Sequence, residues 1–133
     1  MKRFKKILQD YRINGYIVPK NDEYFNEYVN SSQDRLKFIS NFSGSAGFAL
    51  ILENQNYLFT DGRYTIQANN ESGKKFKVIT IPKKFPKDVI KTKKKIIVGF
   101  DPKLHTERQL KLFFEVKNVD LVPISQNLVD KVW

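Results

Sequence analysis

The 133-residue sequence predicts an α/β domain with a mixed central sheet of about six strands flanked by helices. Three observations point there. Apolar stripes of helical period alternate along the chain with short apolar runs of strand length. Two of those runs, 48–52 and 57–60, are separated only by Glu53-Asn54-Gln55-Asn56, so one hairpin interrupts the alternation and forces an antiparallel pair into the sheet. The length suits one ordinary domain, with 41% hydrophobic residues, no internal repeat and no linker.

The elements follow in order. Phe4, Ile7, Leu8 and Tyr11 fall at i, i+3, i+4 and i+7, a helix stripe that Asn14-Gly15 ends. Tyr16-Ile17-Val18, closed by Pro19, reads as a buried strand. Residues 20–33 are polar with scattered tyrosines, a loop or short helix. Residues 34–39 read as a helix with Leu36 and Ile39 inward. The hairpin strands come next, then a helix opening near Asp61-Gly62 and ending by Ser72-Gly73. Residues 76–81 form a strand, and Pro86 suits the first turn of a short helix to about Lys91. Residues 96–100 are a buried strand. Thr106-Glu107-Arg108-Gln109 is a capping box opening a helix through Leu110, Phe113, Phe114 and Lys117 to about Asn118. Leu121-Val122 is the last strand.

Composition excludes several function classes. There is no cysteine, so disulfides, zinc–thiolate sites and thiol nucleophiles are ruled out. The start, Met1 to Lys6, is basic, but Ile7-Leu8-Gln9-Asp10-Tyr11-Arg12 is no apolar signal core, and no stretch approaches a membrane span. A cytoplasmic location is expected, with no membrane partner. The net charge of +10 is local: residues 74–95 hold ten lysines and one acid, Asp88, while the remainder is nearly balanced. Such a patch can bind phosphates, yet no aromatic is interleaved with Lys93-Lys94-Lys95 to stack a base. Nucleic acid is therefore not the expected partner, and a stand-alone binding module built on 74–95 is the rival reading.

The hairpin locates the candidate site. Antiparallel pairing sets the start of strand 48–52, Gly44-Ser45-Ala46-Gly47, beside the end of strand 57–60, Asp61-Gly62-Arg63. Open α/β sheets bind ligands beyond strand carboxyl ends, and Arg63 is a planar, permanently charged donor fork suited to carbonyl or carboxylate oxygens. Spacing alone leaves other roles open: Asp61 capping the next helix, and Arg63 paired to an acid or lying on solvent. Gly44 to Gly47 is neither a phosphate loop, lacking Lys-Ser/Thr at the required spacing, nor a hydrolase nucleophile elbow, because position 43 is serine. His105 is the only histidine and no motif completes a triad around it. Asp22, Glu23 and Glu27 are clustered acids that read as a charged loop rather than a cation grip. No catalytic residue and no metal ligand is assigned in this chain.

Phe42-Ser43-Gly44-Ser45-Ala46-Gly47, then Phe59-Thr60-Asp61-Gly62-Arg63-Tyr64 with Gln67-Ala68, resembles the creatinase/prolidase-type N-terminal domain. Glu27-Tyr28, Asp34-Arg35-Leu36, Gly99-Phe100-Asp101-Pro102, Leu121-Val122-Pro123 and the run from Asn127 to Trp133 extend the likeness nearly end to end. The ordered set resembles the first domain of the long, three-domain Xaa-Pro aminopeptidases of the M24 metallopeptidase family. The resemblance implies a ribonuclease H-like sheet with helices on both sides over residues 1–133. It also implies a pita-bread catalytic domain, absent from this chain, that holds two divalent metals, usually manganese, and is usually dimeric. Such enzymes release the first residue of peptides with proline in second position. The first domain of that family caps the active-site mouth, and its Thr-Asp-Gly-Arg-Tyr arginine, here Arg63, resembles a substrate-contacting residue. The chain alone is then expected to be inactive. A prolidase or creatinase-type hydrolase shares the domain type and is the other alternative.

Overall fold

The computed structural model describes residues 1–20, 34–44, 46–81, 83–90 and 92–133. Among these residues five α-helices and six strands follow one another: α1 (Lys2–Asp10), β1 (Gly15–Pro19), α2 (Arg35–Ser40), β2 (Phe48–Leu52), β3 (Asn56–Asp61), α3 (Thr65–Ser72), β4 (Lys77–Ile81), α4 (Pro86–Val89), β5 (Ile96–Phe100), α5 (Glu107–Phe114) and β6 (Val119–Pro123). The strands form one sheet in the order β4-β3-β2-β1-β5-β6. β2 pairs antiparallel with both β1 and β3, and the remaining pairs are parallel. Five strands therefore run one way and β2 alone runs against them, which is the mixed sheet that the hairpin demands.

Period-two alternation divides the apolar residues between two cores. Tyr16 and Val18 of β1, Ala49 and Ile51 of β2 and Leu58 of β3 meet Phe4, Leu8, Leu36, Phe42 and Ala68 on one face, against α1, α2 and α3. Ile17, Leu50 and Phe59 point the other way and meet Ile90, Val98 and Phe114, against α4 and α5. Helices thus cover both faces. Each wholly buried Leu or Phe contributes roughly 1.5–3 kcal/mol of transfer free energy.

Local signals set most of the boundaries. Asp34 caps α2 by accepting from Lys37 N at 3.1 Å, and its other carboxylate oxygen pairs with Lys20 Nζ. Thr106 and Gln109 form the expected capping box, at 3.1 and 3.3 Å. α5 ends at Phe114, earlier than the expected Asn118. Val116 O accepts from Val119 N and Asn118 takes a left-handed φ of 69°, so residues 115–118 turn directly into β6. The helix expected from Asp61-Gly62 begins as a 3₁₀ turn, Gly62–Tyr64, and becomes α-helical at Thr65. Two clasps fix the C-terminal segment. Asp101, fully buried, accepts from Asn127 Nδ2 at 3.0 Å and from Lys103 N at 3.0 Å. Arg35 grips Asp130 with two parallel bonds of 2.8 and 3.0 Å.

Candidate functional site

The strand directions gather the ends of β1, β3, β4, β5 and β6 and the start of β2 along one edge of the sheet. Phe48 lies opposite Phe59 and Asp61 opposite Ile81 in the registers. Thr60 Oγ1 donates to Ala46 O at 2.8 Å, and Lys20 N donates to Gly47 O at 3.1 Å. The Ala46-Gly47 turn therefore sits between the ends of β3 and β1, as the hairpin argument expects.

Two glycines let the backbone do this. Gly47 has φ +156°, and a Cβ there would lie 2.8 Å from Phe59 O. A Cβ on Gly44 would lie 2.2 Å from the ring of Phe42, which is itself fully buried. Ser43, just before Gly44, is fastened from outside the sheet. Glu71 on α3 accepts from Ser43 N at 2.8 Å and from Ser43 Oγ at 2.9 and 3.0 Å, while Gln67 Nε2 donates to Ser43 Oγ at 3.0 Å. The bonds from Ser43, its backbone N–H first, hold the Glu71 carboxyl below its usual range. Phe42 meets Tyr64 edge-on at 6.1 Å. The motif words around Ser43, Tyr64 and Gln67 are thus one joined structure.

Arg63 stands at the end of β3. Asp61 Oδ1 accepts from Arg63 N at 2.8 Å and so caps the 3₁₀ turn. The same carboxylate takes the side of the guanidinium, Nε to Oδ1 at 3.3 Å and Nη2 to Oδ2 at 2.9 Å. The Arg63 side-chain bond first, then its backbone N–H, lower the Asp61 carboxyl. The guanidinium carbon lies 5.3 Å from the Tyr64 ring centroid. The cap that spacing left open for Asp61 and the acid partner that it left open for Arg63 are thus one carboxylate. The Arg63 side chain is nonetheless 76% exposed, and its outer edge has no bonded partner among the described residues. An oriented, water-facing guanidinium of this kind can donate end-on to a carbonyl or carboxylate oxygen.

The other sequence candidates go elsewhere. His105 lies against Phe100 at 5.8 Å, and its Nε2 is buried with no partner among the described residues. Burial pushes the imidazole down to about 4, only partly opposed by Asp101. It helps wall a cavity of about 140 Å³ with Ile17, Phe48, Leu110, Phe113 and Phe114. Asp22, Glu23, Glu27 and Tyr28 lie outside the described residues, as do Ser45 and Lys91. Among the described residues no group of three His, Asp or Glu is placed to hold a metal ion, and no helix is long and apolar enough to cross a membrane. The lysines are dispersed. Lys74, Lys75 and Lys77 lie where β4 begins, Lys83 and Lys84 where it has ended at the opposite edge, and Lys95 pairs with Asp120 at 2.9 Å. Glu71 and the Asp101–Asn127 clasp escaped the sequence reading; the i, i+4 spacing of Gln67 and Glu71 was the available signal for the first.

Comparison with known proteins agrees with this architecture. A family model described as the creatinase/prolidase N-terminal domain matches residues 1–132. A protein of Neosartorya fischeri named probable Xaa-Pro aminopeptidase P is 34% identical over 98% of the chain, which spans only 21% of that relative. The crystal structure of X-prolyl aminopeptidase from Caenorhabditis elegans, described as a cytosolic enzyme with a di-nuclear active site, superposes with TM-score 0.74. The likeness there has 29% identity and covers 91% of this chain and 21% of that one. The N-terminal domain of cytoplasmic peptidase PepQ from Mycobacterium tuberculosis shares the fold, with TM-score 0.69 and 20% identity over 98% of this chain and 95% of that one.

Proposed function

We propose that this chain, which belongs to the creatinase/prolidase N-terminal domain family, is the lid of an Xaa-Pro aminopeptidase. The single observation that supports it is the Arg63 fork, held side-on by Asp61 and open to water at the sheet edge formed by the glycine turn. In this reading residues 1–133 form a lid domain. Its edge closes over the pita-bread catalytic domain of the enzyme, and Arg63 binds an oxygen of a peptide with proline in second position.

Activation of water is the chemistry that two divalent ions, manganese in this reading, supply on the catalytic domain. The donor set of the described residues fits no such ion, so the lid's share is to bind, orient and exclude solvent. Tyr64 supports the guanidinium face, and Ser43 and Glu71 keep the facing turn in place. A cytoplasmic, dimeric enzyme is part of the same proposal. The dispersal of the lysines gives no comparable support to a nucleic-acid module.

The test joins this chain to the catalytic polypeptide of its enzyme. Arg63→Ala should lower kcat/KM for Xaa-Pro peptides by about 10- to 100-fold, the size of a charge-assisted bond, with folding unchanged. Wild-type turnover in that variant would remove the role of Arg63. The purified chain alone should release no residue from Xaa-Pro peptides in manganese; turnover there would refute the division of labour.

A further inference from the structure

The ends of β3 and β4 form one corner of the sheet edge that carries Arg63. The two strands are parallel and in register, with Asp61 beside Ile81. The segments that leave them stay together. A Cβ on Gly62 would meet Thr80 Cγ2 at 3.9 Å, and Thr65 Oγ1 lies 3.1 Å from Thr80 Oγ1. Lys84 N donates to Thr80 O at 3.1 Å. The chain therefore turns at Lys83 and Lys84 directly beyond β4, next to the 3₁₀ turn that bears Arg63. Both lysines are exposed, and neither has an ion-pair partner among the described residues. The acids close to them in sequence and register are engaged. Asp61 gives both oxygens to Arg63, and Asp88 Oδ2 accepts from Phe85 N at 2.8 Å. Arg63, Lys83 and Lys84 thus share a corner whose carboxylate is already taken.

Unpaired cations held this close raise the local potential and attract an anion. In the lid reading, on which this inference rests, a peptide with proline in second position already lies on Arg63. Such a peptide carries an α-ammonium at its amino end, which the corner repels. Its carboxyl side is the part that the corner attracts. Adjacent strands lie about 4.8 Å apart and an extended residue spans about 3.4 Å, so one or two residues of peptide pass from Arg63 to the lysines. We propose that Lys83 and Lys84 extend the Arg63 site into a carboxylate subsite, which selects peptides bearing a carboxylate one or two residues after proline. That group is either a free C-terminus or an Asp or Glu side chain, and the recognising chemistry is the same.

The test uses the enzyme that contains this domain and three peptides: Ala-Pro-Gly, its C-terminal amide, and Ala-Pro-Glu amide. Both carboxylate-bearing peptides should exceed Ala-Pro-Gly amide in kcat/KM by about threefold or more, mainly through KM. Preference for the free acid alone assigns the subsite to a terminus, and preference for the glutamate alone assigns it to a side chain. The advantage should shrink as salt rises from about 0.05 to 0.5 M. Lys83→Gln with Lys84→Gln should bring the ratio of carboxylate to amide peptide close to one, with an unchanged circular dichroism spectrum. Arg63→Ala should instead slow all three peptides alike. A wild-type ratio near one, or a ratio that survives the double change, overturns the subsite and leaves the lid reading intact. If Arg63→Ala turns over all three like the wild type, the role of Arg63 fails, and the lysine variant still decides the subsite by its own ratio.

Discussion

At the scale of single residues, backbone geometry and burial decide what each position tolerates. Gly47→Ala puts a Cβ against Phe59 O at a φ that side chains rarely adopt. It should destabilise the domain by about 2 kcal/mol or more, read as a lower thermal midpoint. His105 gives a pH signature. Its ordinary value is 6.5 in the unfolded chain and about 4 in the fold, so the unfolded state binds the proton first as pH falls. The stabilisation is fully present above pH 6.5 and is lost as pH falls toward 4, by up to about 3 kcal/mol. His105→Gln should flatten urea midpoints across that window. Glu71, whose carboxyl is lowered instead, contributes stability that disappears only below its unfolded value of 4.5, so the two effects separate on the pH axis. A variant that still loses stability between pH 6.5 and 4 would remove His105 as the cause.

At the scale of elements, the family-like words of the sequence prove to be fasteners. Asp34-Arg35-Leu36 supplies a helix cap, a grip on Asp130 and a core leucine. Asp101 receives Asn127, whose own Oδ1 caps the closing 3₁₀ turn at Val129 N, 3.0 Å away. Asn127→Ala removes a donor from a fully buried carboxylate and a cap together, and should cost about 1–3 kcal/mol in chemical denaturation. Unchanged stability would show that Lys103 N alone satisfies Asp101. This is also where the limits of the sequence lie. Strands and helices were legible in order because each depends on neighbours within a few residues. The edge carrying Arg63 was legible because a four-residue turn leaves β2 and β3 one way to pair. The bonds from Ser43 to Glu71, Asp101 to Asn127 and Arg35 to Asp130 span 28, 26 and 95 residues, and no local pattern encodes such distances. The premature end of α5 belongs to the same class, since the turn at Asn118 is set by where β6 must lie against β5.

At the scale of the whole molecule, the sheet works as a polarised plate. Its parallel strands end at the edge where the glycine turn and Arg63 lie, and the stacked Phe38 and Trp133 lie instead on the broad face covered by α1 and α2. Arg63→Ala should therefore leave the fluorescence emission of Trp133 unchanged. A shift would mean that the edge and the helical face are mechanically coupled.

Leu128 and Val129 are wholly enclosed, and Leu128 N reaches the hydroxyl of Tyr16 at 3.3 Å, across 112 positions of sequence. During translation, the pocket around Tyr16 and Leu36 must stay unsealed until residues 128 and 129 have been made. Until then the nascent polypeptide carries that apolar opening uncovered. A chain halted between residues 123 and 128 has all six of these strands but no way to shut.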